Sequence, residues 1–439
     1  MRGPGDRHRW PRAGSGSEAV FTCPPLRRTI VTRTDMRCTG LVGRLRPQVK
    51  PMIETVKISG FKAVRSVTLP LERLTVIFGP NASGKTTLLE AISLLCRSAT
   101  WNPGELFSGE RAPSRICSRD AREARLALQL STGTAYECLV SPDPDHQMNF
   151  VPLPPDGNGH STPAVEPAWG CSRFINAHDN ANKACRWEDV PGLMQQEVER
   201  SIQSQFLRLE PDRLAATSYI AGERARLRAD GYGLASVLSQ LKLNNATAFS
   251  KIEETLRSVI PSVLGLRFVR DRVVRREIEY HEQAGQRVAV ESAPREYWGD
   301  ALRFDSLSGR NLPASAMSEG TLLILGLLTA AHSSSEVRIL LLDDLDRALH
   351  PRAQSDVVRM LTELQKSRRD LQIVATSHSP YLVDALDYSQ VRMTTIDNSG
   401  EISCASMESH PDAARWRDEM AAGEFWSHTG EKWVETHAN

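Results

Sequence analysis

Gly79-Pro80-Asn81-Ala82-Ser83-Gly84-Lys85-Thr86 has the spacing G-x4-G-K-[ST]. Glycines at these positions let consecutive backbone N–H groups curl round an anion. Lys85 is then placed to reach β- and γ-phosphates, and the hydroxyl of Thr86, followed by Thr87, to ligate Mg²⁺. An apolar strand, LTVIF, precedes the loop, and an apolar helical run from Thr86 to Cys96 follows it. The helix would add the positive end of its dipole. This strand–loop–helix context separates a phosphate site from a tight glycine turn that binds nothing, and it implies a bound nucleotide.

Three further groups could complete such a site. An apolar run ending at Leu342 delivers Asp343 and Asp344 to the C-terminal end of a strand, where α/β sheets bind ligands. There Asp343 would hold Mg²⁺ and Asp344 would orient or deprotonate the attacking water. The stretch LQIVATSH ends on His378, whose imidazole can hydrogen-bond a γ-phosphate. Ser318-Glu319-Gly320 opens a strongly apolar helix, where free N–H groups and the dipole favour an anion. The plain alternative for Ser318 is an ordinary N-cap with an acidic first turn; its place shortly before the carboxylate strand favours the anion site.

Elements that must position these groups follow from the residue pattern. Residues 53–71 alternate like two short strands, and 123–140 read as a hairpin turning near Gly133. A Pro-, Asp- and Gly-rich loop runs from Ser141 to Trp169, residues 192–262 are mostly helical, and 264–291 return to strands. A helix is expected at Pro351–Gln365, with strands at Leu371–Thr376 and Val391–Ile396. Neither long repeats nor sustained heptads occur.

The formal net charge of +1 averages two unlike pieces. Residues 1–51 carry 11 Lys/Arg and 3 Asp/Glu, which leaves the rest with 43 basic and 50 acidic residues, a net of −7. The break falls at a methionine, so Met52 is the expected translation start and 1–51 a basic, disordered extension. An Arg-rich targeting peptide and a basic arm for an acidic partner are the alternatives. The longest apolar run, Thr321–Ala331, has 11 residues, against the ~20 that span a bilayer. With no apolar segment near the start and eight cysteines lacking any CxxC pair, a cytoplasmic protein without disulfides, structural zinc or membrane spans is expected.

Taken in order, these four groups resemble the ABC-type ATPase heads of the SMC/RecF/OLD-like group, the stand-alone AAA-15-type "AAA family" ATPases. Gly79–Thr86 corresponds to the Walker A motif, Ser318-Glu319-Gly320-Thr321 to a SEGT-like signature, Asp343-Asp344 to Walker B, and His378 to the switch histidine. The resemblance runs from Met52 to the C-terminus. It implies an α/β fold, a P-loop parallel core sheet plus an antiparallel β subdomain, with an inserted helical lobe. Expected segments are the extension 1–51, an N-terminal part of the head at 52–165, the helical lobe with short strands at 166–295, and a C-terminal part with a cap at 296–439.

ATP and Mg²⁺ are the implied cofactors, with Gly79 to Thr87 and Ser318 to Gly320 as nucleotide contacts, Thr86 and Asp343 as metal ligands, and Lys85, Asp344 and His378 as catalytic groups. The resemblance also implies a homodimer, in which Ser318 and Gly320 of one copy meet the γ-phosphate held by the other. In such heads Walker B usually continues Asp-Glu-Pro-Glu, and here it reads Asp343-Asp344-Leu345-Asp346. An aspartate at the base position is one methylene short, so hydrolysis is expected to be slow unless Asp346 or a shifted backbone compensates. Gln129 and Gln147 are the weak candidates for the Q-loop glutamine.

Output surfaces are less distinct. Arg267, Arg270, Arg272, Arg275 and Arg276 lie within ten residues and could contact nucleic acid; equally, they form a solvated strand face offset by Glu277 and Glu279. Trp426 and Trp433 are expected on one helix face, as a cap on the core or a docking stripe. About sixty residues follow His378, too few for an OLD-type nuclease domain, so cleavage would need a separate partner. Two functions remain: a dimeric ATP switch controlling a partner effector, in the manner of anti-phage defence systems, or a RecF-like DNA-repair ATPase.

Overall fold

The computed structural model describes residues 51–101, 106–107, 109–142, 171–176, 185–187, 192–220, 224–275, 278–283, 286–291, 293–334 and 336–437. The chain divides into two units, Met1–Leu45 and Arg46–Asn439, and every described residue lies in the second. The expectations for the N-terminal extension, Gln147 and Arg276 fall outside the described residues.

Two six-stranded sheets organise the described part. The first is antiparallel, in the order β2 (Val64–Pro70), β1 (Ile53–Phe61), β4 (Ala124–Leu130), β5 (Ala135–Val140), β6 (Cys171–Asn176) and β7 (Cys185–Arg186). The second holds β3 (Leu74–Phe78) at its centre, flanked in parallel by β16 (Val391–Ile396) and β15 (Gln372–Ser377). Beyond β15 lie β14 (Ile339–Leu342) and β8 (Ser204–Leu207), also parallel, and β17 (Ile402–Ser406) closes the other edge antiparallel to β16.

Continuous apolar runs such as LTVIF and ILLL make these parallel strands because both faces are covered. Side chains alternate across the sheet with a period of two. Ile77, Ile339, Leu341 and Val374 pack on one side with the helix Lys85–Ser98 and the inner face of the antiparallel sheet. Val76, Phe78, Leu340, Leu342, Ile373 and Ala375 pack on the other with the helices Glu319–Ser333 and Pro351–Ser367. Buried Gln372 ties the two sheets, accepting from Ile53 N–H at 3.1 Å and donating to Ile53 O at 2.8 Å and Glu72 O at 3.0 Å.

The segment expected as a helical lobe is mixed into the rest. Its helices Leu234–Asn244 and Ala246–Val259 are there, but β6 joins the antiparallel sheet and β8 joins the core sheet beside β14. Pairing partners so remote in sequence leave no local signal in a four-residue strand. The strands expected at 264–291 form β9 (Val263–Arg275), β10 (Ile278–Gln283) and β11 (Gln286–Glu291), with β9 paired to β12 (Arg295–Ser306) and β12 to β13 (Gly309–Pro313). No helix among the described residues is long and apolar enough to cross a membrane.

At the C-terminus the single helix expected to carry both tryptophans is broken. The helix Ala422–Thr429 ends at Gly430, whose φ of 66° no L side chain adopts readily. Trp426 instead packs edge-on against Phe78 at 5.0 Å and Trp433 against His410 at 5.0 Å. The two rings cap the core and do not line a shared stripe.

Candidate nucleotide site

The loop Gly79–Gly84 leaves the buried end of β3 and enters the helix Lys85–Ser98. Ala82 and Gly84 have φ of 63° and 87°, left-handed values that turn successive N–H groups inward to make an anion-binding nest. At Gly79, any Cβ would stand 2.5 Å from Thr394 O, so only glycine fits the close approach of loop and strand. Ser83 is fully buried, and its Oγ lies 2.7 Å from Thr394 Oγ1, which donates to Phe78 O at 3.2 Å. The neighbouring strand β16 thus pins the loop's shape.

Lys85 is 7% exposed and donates to Gly79 O at 2.9 Å and Pro80 O at 2.7 Å, folding back across its own loop. Burial lowers its pKa below the ordinary lysine value, while the charges of Asp344, Asp346 and Asp343 pull it back up. A buried ammonium beside a left-handed nest of loop N–H groups is the combination that a polyphosphate satisfies.

The carboxylates stand where the sequence analysis expected, at the end of β14. Asp343 is buried and accepts from Thr86 Oγ1 at 3.0 and 3.2 Å and from Thr376 Oγ1 at 2.8 Å. Asp344 N–H donates to Thr376 Oγ1 at 2.8 Å, its φ is 55°, and its side chain is 30% exposed. Thr376, on β15, therefore fixes both acids. A threonine hydroxyl and a carboxylate that touch before any metal is added are hard oxygen donors of the kind Mg²⁺ takes alongside phosphate oxygens. The residues present fit Mg²⁺ with a nucleoside triphosphate.

His378 follows β15 and faces Asp346. Its Nδ1 lies 3.0 Å from Asp346 Oδ2 and its backbone N–H donates to Asp346 Oδ1 at 3.3 Å. Both oxygens of Asp346 are engaged and its side chain is 2% exposed, so it is not free to stand in for a longer base at 344. Ser379 Oγ donates to Gln354 Oε1 at 2.6 Å, and Gln354 Nε2 donates to Leu349 O at 3.0 Å, locking the histidine turn to the segment after Walker B.

Ser318 caps the helix Glu319–Ser333, its Oγ accepting from Thr321 N–H at 3.3 Å and lying 2.8 Å from Thr321 Oγ1. Ser318 and Glu319 are exposed, and Gly320 sits against Leu349. The structure thus brings Gly79–Thr86, Asp343, Asp344 and His378 together in one copy, and leaves Ser318 and Glu319 exposed. Gln129 is exposed near the end of β4, opposite Thr55.

A family model described as "AAA ATPase domain" matches residues 52–131, and one described as "AAA domain, putative AbiEii toxin, Type IV TA system" matches residues 218–384. The curated "OLD nuclease" of Thermus scotoductus (strain ATCC 700910 / SA-01) is 21% identical over 376 residues, covering 80% of this chain and 63% of that protein. The chain therefore matches less than two thirds of this relative's length. Among solved structures, an SMC head bound to the C-winged helix domain of ScpA aligns with a TM-score of 0.51 at 15% identity, over 81% of this chain and 98% of that one. The fold is therefore like that of an SMC head.

Within this fold, one residue close to the carboxylates carried no sign in the sequence. Arg208, just after β8, places Nε 3.8 Å from Asp343 Oδ2 and Nη2 3.9 Å from Asp344 Oδ2. Only the pairing of β8 with β14 reveals it. The arginine cluster also reads differently. Arg267, Arg270 and Arg272 on β9 pair with Asp305, Asp300 and Glu296 on β12, at 2.7, 3.1 and 3.2 Å. The offsetting acids are cross-strand neighbours that sequence proximity could not identify. The side chain of Arg275 lies outside the described residues.

Proposed function

We propose that the chain is an ATP-operated switch. It binds Mg-ATP on Gly79–Thr86 and Asp343, two copies close head to head over the nucleotides, and slow hydrolysis reopens them. The observation that carries this is the convergence of Thr86 and Thr376 on the buried carboxylate of Asp343, 3.2 Å or less from each, beside buried Lys85. Mg²⁺ bound there would neutralise charge on the β- and γ-phosphates. Lys85 would exchange its loop carbonyls for phosphate oxygens, and the loop N–H groups would hold the rest.

Asp344 is the water-orienting group in this scheme and His378 the group that meets the γ-phosphate. With Asp346 bound to His378, the short side chain at 344 goes without compensation, which favours a long-lived ATP state. Ser318–Gly320, an exposed helix N-terminus, supplies the missing anion contacts from a second copy.

The output is control of a separate effector protein in anti-phage defence. Support comes from the family description that names a putative AbiEii toxin, and from the SMC head whose structure holds a winged-helix partner domain. The cross-strand pairing of Arg267, Arg270 and Arg272 with acids offsets part of the positive charge that could meet DNA, which weighs toward a protein partner. The test is sedimentation of full-length protein with and without Mg-ATP. Wild type dimerises with ATP, and Lys85→Ala stays monomeric; an ATP-independent oligomer in both would overturn the switch.

A further inference from the structure

Arg208 stands on a fixed base with a free head. Its N–H donates to Ala229 O at 2.8 Å, its neighbours Leu207 and Leu209 are buried, and Asp343 N–H donates to Leu207 O at 2.8 Å. The backbone is thereby registered against Walker B, while the side chain is 54% exposed. From there the guanidinium approaches both carboxylates without a close hydrogen bond to either, at 3.8 and 3.9 Å.

The ammonium of Lys85 is occupied by Gly79 O and Pro80 O. Beside Lys85, whose charge also feels these acids, Arg208 is a second cation that faces Asp343 and Asp344 together. A divalent metal on Asp343 and Thr86 would meet that guanidinium as a like charge only a few ångströms away. Two such cations repel each other, and a side chain that is 54% exposed is free to swing away, so a metal bound there favours displacement of Arg208. The only new anion at hand is then the nucleotide's own phosphate chain, and the planar five-donor fork of arginine suits phosphate oxygens.

We infer that Arg208 is an exchangeable counter-ion: it neutralises Asp343 and Asp344 in the nucleotide-free head and transfers to the ATP phosphates when the metal enters. This rests on the ATP-switch reading above and adds to it a gate against metal binding without nucleotide. The residue discriminates metal alone from metal–nucleotide, because only the latter offers the guanidinium a second partner.

The experiment titrates Mn²⁺ alone, followed by its paramagnetic resonance signal, into nucleotide-free full-length protein, and separately measures Mg-ATP binding. Arg208→Ala is expected to bind Mn²⁺ alone about five-fold or more tightly than wild type, and Mg-ATP about five-fold or more weakly. Arg208→Lys keeps the charge and is expected to keep the weak Mn²⁺ binding of wild type while losing part of the ATP affinity. A purely structural loss would weaken both ligands together. Wild type that binds Mg-ATP beside an Arg208→Ala variant with unchanged or weaker Mn²⁺ binding overturns the exchange and leaves the ATP switch standing. Wild type that binds no Mg-ATP overturns both.

Discussion

Asp346 holds His378 at two points, the ring Nδ1 at 3.0 Å and the backbone N–H at 3.3 Å. The contact assigns the ring's proton to Nδ1 and turns Nε2 away from the carboxylate, toward the half-exposed side of the residue. Asp346 thereby acts as a positioning residue in the proposed reaction. Asp346→Ala should leave ATP affinity within about three-fold and lower kcat by about 10- to 100-fold, the cost of a misplaced catalytic group. Equilibrium binding alongside single-turnover hydrolysis separates the two. An unchanged kcat would show that His378 needs no clamp.

Asp344 offers a converse test. Its backbone is set by Thr376 Oγ1 and a φ of 55°, so a longer side chain need not disturb the main chain. Asp344→Glu should supply the missing methylene and raise steady-state ATP hydrolysis about ten-fold or more. Asp344→Asn should abolish hydrolysis and keep the ATP-bound dimer. Turnover that falls in Asp344→Glu would place the base elsewhere.

Lys85 links site chemistry to stability. Its folded pKa lies below the unfolded value of 10.5 because burial disfavours the charge. The penalty is present in full below the folded pKa and is relieved as pH rises toward 10.5, since the unfolded chain there binds more protons. Lys85→Met removes the charge and keeps the bulk. Nucleotide-free Lys85→Met should melt at the same temperature as wild type or up to ~2 °C higher at neutral pH. That gap should narrow toward alkaline pH, and ATP should no longer raise the melting temperature. Calorimetry across pH reads both effects.

How much of this was legible follows from where the information sits along the chain. The loop Gly79–Thr86 is contiguous, so its spacing alone conveys its conformation. Asp343 and His378 end apolar strands, a pattern that also survives in one dimension. Arg208 was hidden because four residues of β8 carry no sign that they will pair with β14. The Asp346–His378 clamp was hidden for a similar reason: two segments meet only once β14 and β15 lie side by side. For the β9 arginines, charge counting along the sequence compared them with Glu277 and Glu279, whereas the antiparallel register sets them beside Asp305, Asp300 and Glu296. Trp426 and Trp433 have helical spacing, and one positive φ at Gly430 cancels it.

The exposed cap at Ser318 allows the dimer to be tested by complementation. In the proposed arrangement each ATP site combines Lys85 of one copy with Ser318 of the other. Lys85→Ala and Ser318→Arg should each abolish hydrolysis alone, the first by losing the phosphate contact and the second by blocking the signature face. A mixed dimer retains one site in which wild-type Lys85 meets wild-type Ser318. Each mixed dimer keeps one intact site of two, so up to about half of wild-type activity should return if the two sites act independently. Hydrolysis measured across mixing ratios should peak near equal amounts. Activity that stays at zero at every ratio, with both variants still folded and Ser318→Arg still binding ATP, would mean that Ser318 serves the nucleotide of its own chain or none at all.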